Sequence, residues 1–93
     1  MNLEELKSFI QSKLNYTKFT QEGATLEVVF NRDKGKSVVT LTLIDGMVKV
    51  VETYESRELG GTISKVRRFK AFKRLQNFLL LFNGGRLDLL LQS

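Results

Sequence analysis

The chain has 93 residues, enough for one small domain with a single hydrophobic core. It contains no Cys and no His, which excludes disulfides and Cys-ligated zinc and removes the side chain that most often transfers protons in catalysis. Its 42% hydrophobic and 27% charged residues are typical of a folded protein, and no apolar run approaches the roughly 20 residues that span a membrane. We therefore expect a single cytoplasmic domain over residues 1–93, with no membrane attachment and no cofactor or metal.

The carboxylates give no indication of catalysis. The ten Asp and Glu residues are scattered singly apart from one adjacent pair, and no glycine-rich phosphate loop accompanies them. Catalytic sites usually combine titratable groups that face one another in a pocket. We therefore expect that the protein is not an enzyme.

The first segment has the pattern of an amphipathic helix. Asn2 followed by Glu5 resembles a capping box. Apolar residues recur at helical spacing, at Leu3, Leu6, Phe9, Ile10 and Leu14. The pattern predicts a helix from about residue 3 to 14, and its acidic start is not typical of a signal peptide. Residues 15–23 are polar with two aromatics, which is compatible with either a loop or a short extra strand.

From Thr25 onward, apolar and polar residues alternate with the period of two that β-strands have. The alternation predicts three strands, at about residues 25–30, 38–44 and 47–55. Turn-forming residues at 31–36 separate the first two strands, and Asp45-Gly46, the dipeptide preferred in type I′ hairpins, separates the second from the third. The middle of the chain is therefore predicted to be an antiparallel meander.

A second helix is predicted after the third strand. Gly60-Gly61 interrupts the strand, and Thr62 or Ser64 could cap a helix that reaches about Asn83. Its apolar stripe would consist of Phe69, Phe72, Leu75, Leu79 and Phe82. The predicted fold is α+β in the order helix, three-stranded antiparallel sheet, helix (αβββα), with both helices on one sheet face.

The last ten residues contain a predicted helix end and an apolar tail. Glycines at 84–85 are typical of a helix end. The tail, residues 86–93, is rich in leucine, so we expect it to pack on the core or on a partner.

One face of the predicted sheet would be left open by the helices. If Leu26, Phe30 and Leu41 point inward together with Val48 and Val50, the opposite face holds Glu27, Val29, Val38, Thr40, Thr42, Lys49, Val51 and Thr53. Such a face is unusually apolar for a solvated surface. Strand propensity alone explains the β-branched residues; alternatively, a second chain covers the face or pairs with an outer strand. We expect a homo- or heterodimer through the sheet edge or the open face.

The net charge of +5 is concentrated in residues 64–75, which hold six cations and no carboxylate. The cations are Lys65, Arg67, Arg68, Lys70, Lys73 and Arg74. On the predicted helix, Lys65, Arg67 and Arg68 would lie in the first turns, where the helix dipole disfavours cations. No acidic residue at i±4 would offset the repulsion among Lys70, Lys73 and Arg74. The pattern favours an external polyanion, nucleic acid above all; a solvated helix face, an acidic protein partner or an anionic membrane surface are the alternatives.

These observations predict a small non-catalytic RNA-binding subunit of a ribonucleoprotein. The six cations would contact phosphates, and further contacts would come from Arg32, Lys34, Lys36 and Lys49. No base-reading motif is present, so we expect recognition of the backbone with weak sequence preference. The alternative is a protein-binding adaptor or inhibitor that acts through its sheet face or edge.

The element order resembles two RNA-binding families. The helix at residues 3–14, the Gly23-led strand, the basic hairpin at 31–36 and the closing helix with Phe69 resemble the small Alu-RNA-binding subunits of the signal recognition particle. This resemblance implies a heterodimer of joined sheets that holds RNA on the open face and loops. The double-stranded RNA-binding domain shares the same order and a basic helix start. It ranks second because its Gly-Pro-x-His loop is missing here.

Overall fold

The structure, a computed structural model, describes residues 1–58 and 60–83 and has an α+β fold. Its elements are α1 (Leu3–Lys13), β1 (Lys18–Glu22), β2 (Thr25–Arg32), β3 (Gly35–Ile44), β4 (Met47–Ser56), β5 (Thr62–Phe69) and α2 (Phe72–Asn83). Each strand pairs antiparallel with the next, so the sheet has the order β1-β2-β3-β4-β5. The predicted α+β class is confirmed. The predicted three-stranded αβββα arrangement is wrong, because one further strand flanks the meander on each side.

The central meander agrees with the sequence pattern. Asp45 and Gly46 have φ angles of 50° and 75°, as a type I′ turn requires at both central positions. Ile44 therefore lies directly opposite Met47, and the register of β3 and β4 follows from this turn.

Strand β1 settles the open question about residues 15–23. It is short, and four of its five residues are exposed, so the alternation that identifies a strand is weak. Its one half-buried residue, Phe19, packs against the core with its ring 5.7 Å from the ring of Tyr16.

Strand β5 is the main correction to the sequence-based prediction. Residues 62–69 pair with β4 and do not begin a helix; α2 begins only at Phe72. The β-branched residues Thr62, Ile63 and Val66 favour this conformation. The alternation was hidden because cations occupy both faces of the strand. The predicted glycine cap at 84–85 and the tail at 86–93 lie outside the described residues.

Both helices pack on the same face of the sheet, and the core lies between them and the strands. Its buried apolar side chains are Leu6, Ile10 and Leu14 from α1, Leu26, Val28, Phe30, Val39, Leu41, Val48 and Val50 from the sheet, and Leu75 and Leu79 from α2. Burial of each such side chain stabilises the fold by about 1.5–3 kcal/mol. Among the described helices, none is long and apolar enough to cross a membrane.

A buried ion pair attaches β5 to this core. Glu52 on β4 is fully buried, and its Oε1 accepts a hydrogen bond from Nε of Arg67 on β5. The Arg67 guanidinium also lies 5.0 Å from the ring centroid of Phe78 on α2. Because a buried carboxylate without a partner costs several kcal/mol, Glu52 requires a cation at position 67.

Candidate anion-binding surface

One end of the sheet, where β4 begins and β5 runs into α2, carries a cluster of cations. We call this cluster the basic end; it consists of Lys49, Arg68, Lys70, Lys73 and Arg74. Lys49 and Arg68 are directly opposite each other on the open face of the sheet. Lys70 follows β5, and the other two residues lie in the first turn of α2.

Asp45, in the turn that precedes β4, is a carboxylate at the same end of the sheet as the basic end, but it forms no salt bridge with the five cations. In the described part of the chain, the structure places no ion pair on any of the five side chains of the basic end. Four of the side chains are exposed, and Lys49 is half-buried. Like charges that lie directly opposite on neighbouring strands destabilise a sheet, so the pair of Lys49 and Arg68 carries a cost that nothing in these residues offsets. An external anion would relieve it.

The start of α2 adds to the positive potential. The backbone N–H of Leu75 donates to the carbonyl of Ala71 at 3.2 Å, which makes Ala71 the N-cap. Its methyl group cannot accept a hydrogen bond from the N–H groups of Lys73 and Arg74, and the first turn contains no acidic residue. The positive end of the helix dipole therefore points toward the basic end.

The start of α1 shows how this chain caps a helix elsewhere. Asn2 Oδ1 accepts from the backbone N–H of Glu5 at 2.9 Å, and Glu4 and Glu5 supply negative charge in the first turn. The two helices thus have opposite N-terminal chemistry. The prediction that Lys65, Arg67 and Arg68 lie in the first turns of a helix is wrong, because they belong to β5; the cations in the first turn of α2 are Lys73 and Arg74.

A cavity of about 500 Å³ opens at the basic end. It is lined by Met47, Arg68, Phe69, Lys70, Ala71 and Arg74. The sequence did not identify Met47 and Ala71 as site residues, since only the pairing of β3, β4 and β5 brings the β3–β4 turn next to the start of α2.

The predicted site residues Lys65 and Arg67 lie on the other side of the sheet. They face the helices, and Lys65 is directly opposite the buried Glu52 with which Arg67 pairs. The six cations that would have shared one helix are therefore divided, because successive residues of a strand point to opposite faces.

The lysines of the 31–36 hairpin, which were predicted to contact phosphates, have ion-pair partners within the protein. Lys34 Nζ lies 3.4 Å from Glu58 Oε1, and Lys36 Nζ lies 3.7 Å from Glu55 Oε2. We call this region, which also includes Arg32 and Arg57, the hairpin end. The strand pairing places it at the opposite end of the sheet from the basic end.

Arg57 contacts the backbone of the hairpin end, and Arg32 contacts side chains within it. Arg57 donates from Nη2 to the carbonyls of Arg32 and Asp33 at 2.7 and 2.6 Å. Arg32 donates from Nε to Ser37 Oγ at 3.3 Å and lies 4.9 Å from the ring centroid of Phe30. Burial lowers the pKa of Arg32, and the charge of Tyr54 acts in the opposite direction.

The described residues form no metal site, and known proteins give no guide to the function of the basic end. Within residues 1–58 and 60–83, no three His, Cys, Asp or Glu side chains come together as metal ligands. No protein-family model, curated protein or solved structure matches the chain. The resemblances to the two RNA-binding families therefore stay predictions.

Proposed function

We propose that the protein is a non-catalytic nucleic-acid-binding subunit that contacts the phosphate backbone through the basic end, with RNA as the expected ligand. One observation carries the proposal: five cations lie together at one end of the sheet, and no carboxylate of the described chain pairs with any of them. At the hairpin end, by contrast, Lys34 and Lys36 each have a carboxylate partner within the protein.

The arrangement suits a polymer better than a single small anion. The cations run from the open sheet face at Lys49, across the edge strand at Arg68, to the first turn of α2. Neighbouring β-strands are about 4.8 Å apart, so these cations can contact several phosphates of one nucleic-acid strand together. Each contact releases condensed counterions and adds to affinity without reading sequence.

The open face supplies no means of reading bases by stacking. Its central residues are valine and threonine, and no aromatic side chain lies on that face of the described strands. Aromatic platforms are the usual way in which a sheet reads single-stranded RNA. We therefore propose backbone recognition with weak sequence preference.

A salt titration with matched charge-reversal variants tests the proposal. Fluorescence anisotropy with labelled RNA should give an affinity that falls with salt, with a log–log slope near −0.7 per phosphate contacted on a single strand and about −0.9 on a duplex. The variant Lys73→Glu/Arg74→Glu should bind at least about tenfold more weakly, with a slope reduced by roughly two contacts.

The control variant Lys34→Glu/Lys36→Glu removes the same net charge from the hairpin end. We expect it to retain an affinity within about twofold of the parent protein, because long-range attraction is screened beyond about 10 Å at moderate salt. Equal losses in the two variants would show that only net charge matters and would contradict the proposed site.

A second candidate function concerns the open face itself. Val29 is directly opposite Val38, and Val51 is directly opposite Val66, whose side chain is 47% exposed. We propose that this valine patch is the contact surface of a dimer or of an adaptor-type protein partner. Sedimentation of the parent protein and of Val51→Lys over a concentration series tests the dimer; a monomer at every concentration of the parent protein would exclude it.

A further inference from the structure

The cavity at the basic end combines two kinds of wall. Arg68, Lys70 and Arg74 supply positive charge, and none of them has a partner in the described residues. Met47 and Phe69 supply apolar surface that is half-buried. A phosphate alone would use only the charged wall, so the apolar wall calls for a ligand with a second, uncharged part.

The size of the cavity is suited to a small ligand. Its volume of about 500 Å³ falls within the range of roughly 300–1,000 Å³ that small-molecule sites occupy. One nucleotide, in which a phosphate is joined through the sugar to a flat base with apolar faces, has the required size and both chemical parts. A side chain such as Met47 can contact the face of any base, since this contact does not depend on the base's hydrogen-bonding edge.

We infer that the cavity takes one unpaired nucleotide of a single strand, with its phosphate at Arg68, Lys70 and Arg74 and its base against Met47 and Phe69. The inference rests on the proposed function and narrows its ligand from nucleic acid in general to the single-stranded form. A duplex presents its phosphates outward and keeps its bases stacked inside, so it can use the cations but not the apolar wall.

Phe69 connects the apolar wall of the cavity to the hydrophobic core. Its ring lies 5.3 Å from the ring of Phe78 on α2, in a tilted arrangement. Substitution of Phe69 would therefore disturb the packing of α2 on β5. Met47 is the better position to change, because it follows the exposed turn at Gly46 and lies outside the buried core.

The test compares Met47→Ala with Ile44→Ala. Ile44 is directly opposite Met47 on the same hairpin, is 42% exposed and does not line the cavity, so it is a matched control. Anisotropy would be measured with a labelled RNA of mixed sequence, with the same RNA annealed to its complement, and with adenosine monophosphate as competitor. Thermal unfolding checks that each variant is folded.

The single strand should bind at least about tenfold more tightly than the duplex. Met47→Ala should weaken single-strand binding by roughly three- to tenfold, because partial loss of a buried methionine contact is worth that much, and should leave duplex binding unchanged. Ile44→Ala should change neither. Adenosine monophosphate should compete with the single strand, because the cavity is proposed to bind one nucleotide; a lack of competition would contradict the inference.

Equal affinity for the single strand and the duplex, or equal effects of Met47→Ala and Ile44→Ala, would overturn the inference. The proposed function would survive that result if Lys73→Glu/Arg74→Glu still weakened both complexes. Absence of binding to every nucleic acid at low salt would instead overturn the proposed function together with the inference.

Discussion

The two ends of the sheet carry similar numbers of cations and use them differently. At the hairpin end, Lys34 and Lys36 pair with Glu58 and Glu55, and Arg57 donates to backbone carbonyls. At the basic end, the five cations have no ion pair with described residues, and α2 starts without a capping side chain. A count of Lys and Arg along the chain does not separate these cases. The relevant quantity is whether a carboxylate lies within reach of each cation.

The same distinction exists between neighbouring residues of β5. Arg67 points toward the helices and pairs with the buried Glu52, whereas Arg68 points to the open face beside Lys49. One arginine is needed by the fold, and the other remains available to a ligand. Charge reversal at Arg67 would therefore report on folding rather than on binding.

The largest effect is expected from truncation of the paired arginine. Arg67→Ala leaves Glu52 buried without a partner and should lower the free energy of unfolding by about 3–5 kcal/mol. Arg68→Ala should change it by no more than about 0.5 kcal/mol, as most surface substitutions do. Urea denaturation followed by circular dichroism measures both values.

A double variant controls for the loss of packing. Glu52→Leu/Arg67→Met removes both charges and keeps similar volume, so it should recover most of the stability that Arg67→Ala loses. Equal stabilities of the Arg67→Ala and Arg68→Ala variants would mean that the ion pair does not distinguish the two faces.

An intermediate effect is expected at the helix starts. Ala71→Asp supplies α2 with an N-cap and a carboxylate, and should raise the free energy of unfolding by about 0.5–2 kcal/mol. The same change should weaken RNA binding, because the new carboxylate lies beside Lys73 and Arg74. Asn2→Ala at the start of α1 should do the reverse for stability, with a loss of about 1 kcal/mol, and should leave binding unchanged. If Ala71→Asp strengthened binding, the basic end would not be the anion site.

The smallest expected effect is on the free energy of unfolding when one lysine at each end of the sheet is neutralised, and the two changes should have opposite signs. Lys34→Gln removes an exposed ion pair and should cost at most about 1 kcal/mol. Lys73→Gln removes an unfavourable charge from the first turn of α2 and should stabilise the protein by about 0.3–1 kcal/mol at low salt. Guanidinium chloride would screen these charges, so urea titrations at two ionic strengths are the suitable measurement. A loss of stability in Lys73→Gln would show that Lys73 already has a favourable partner.

Prediction from the sequence succeeded where the signal was local. The helix N-cap at Asn2, the period-two alternation from Thr25 and the turn at Asp45-Gly46 each depend on residues a few positions apart, and the structure confirms all three. The prediction failed at residues 62–69. Phe69 and Phe72 are three positions apart, which fits one face of a helix, but they belong to a strand and to the helix that follows it.

The candidate site also depends on contacts between residues that are distant in sequence. That residues 64–75 hold six cations is evident from the sequence, but their division between two faces follows from the β5 register, and the neutralisation of Arg67 follows from Glu52, fifteen positions earlier. Met47 joins the cavity for the same reason.

By itself, the sequence determined the first helix, the three central strands and the amount of positive charge, because hydrophobic period, capping and turn chemistry act over a few residues. Only the tertiary structure decided which cations have partners and which are free. Ion pairing across strands depends on register and on the face to which each side chain points, and both are properties of the assembled sheet.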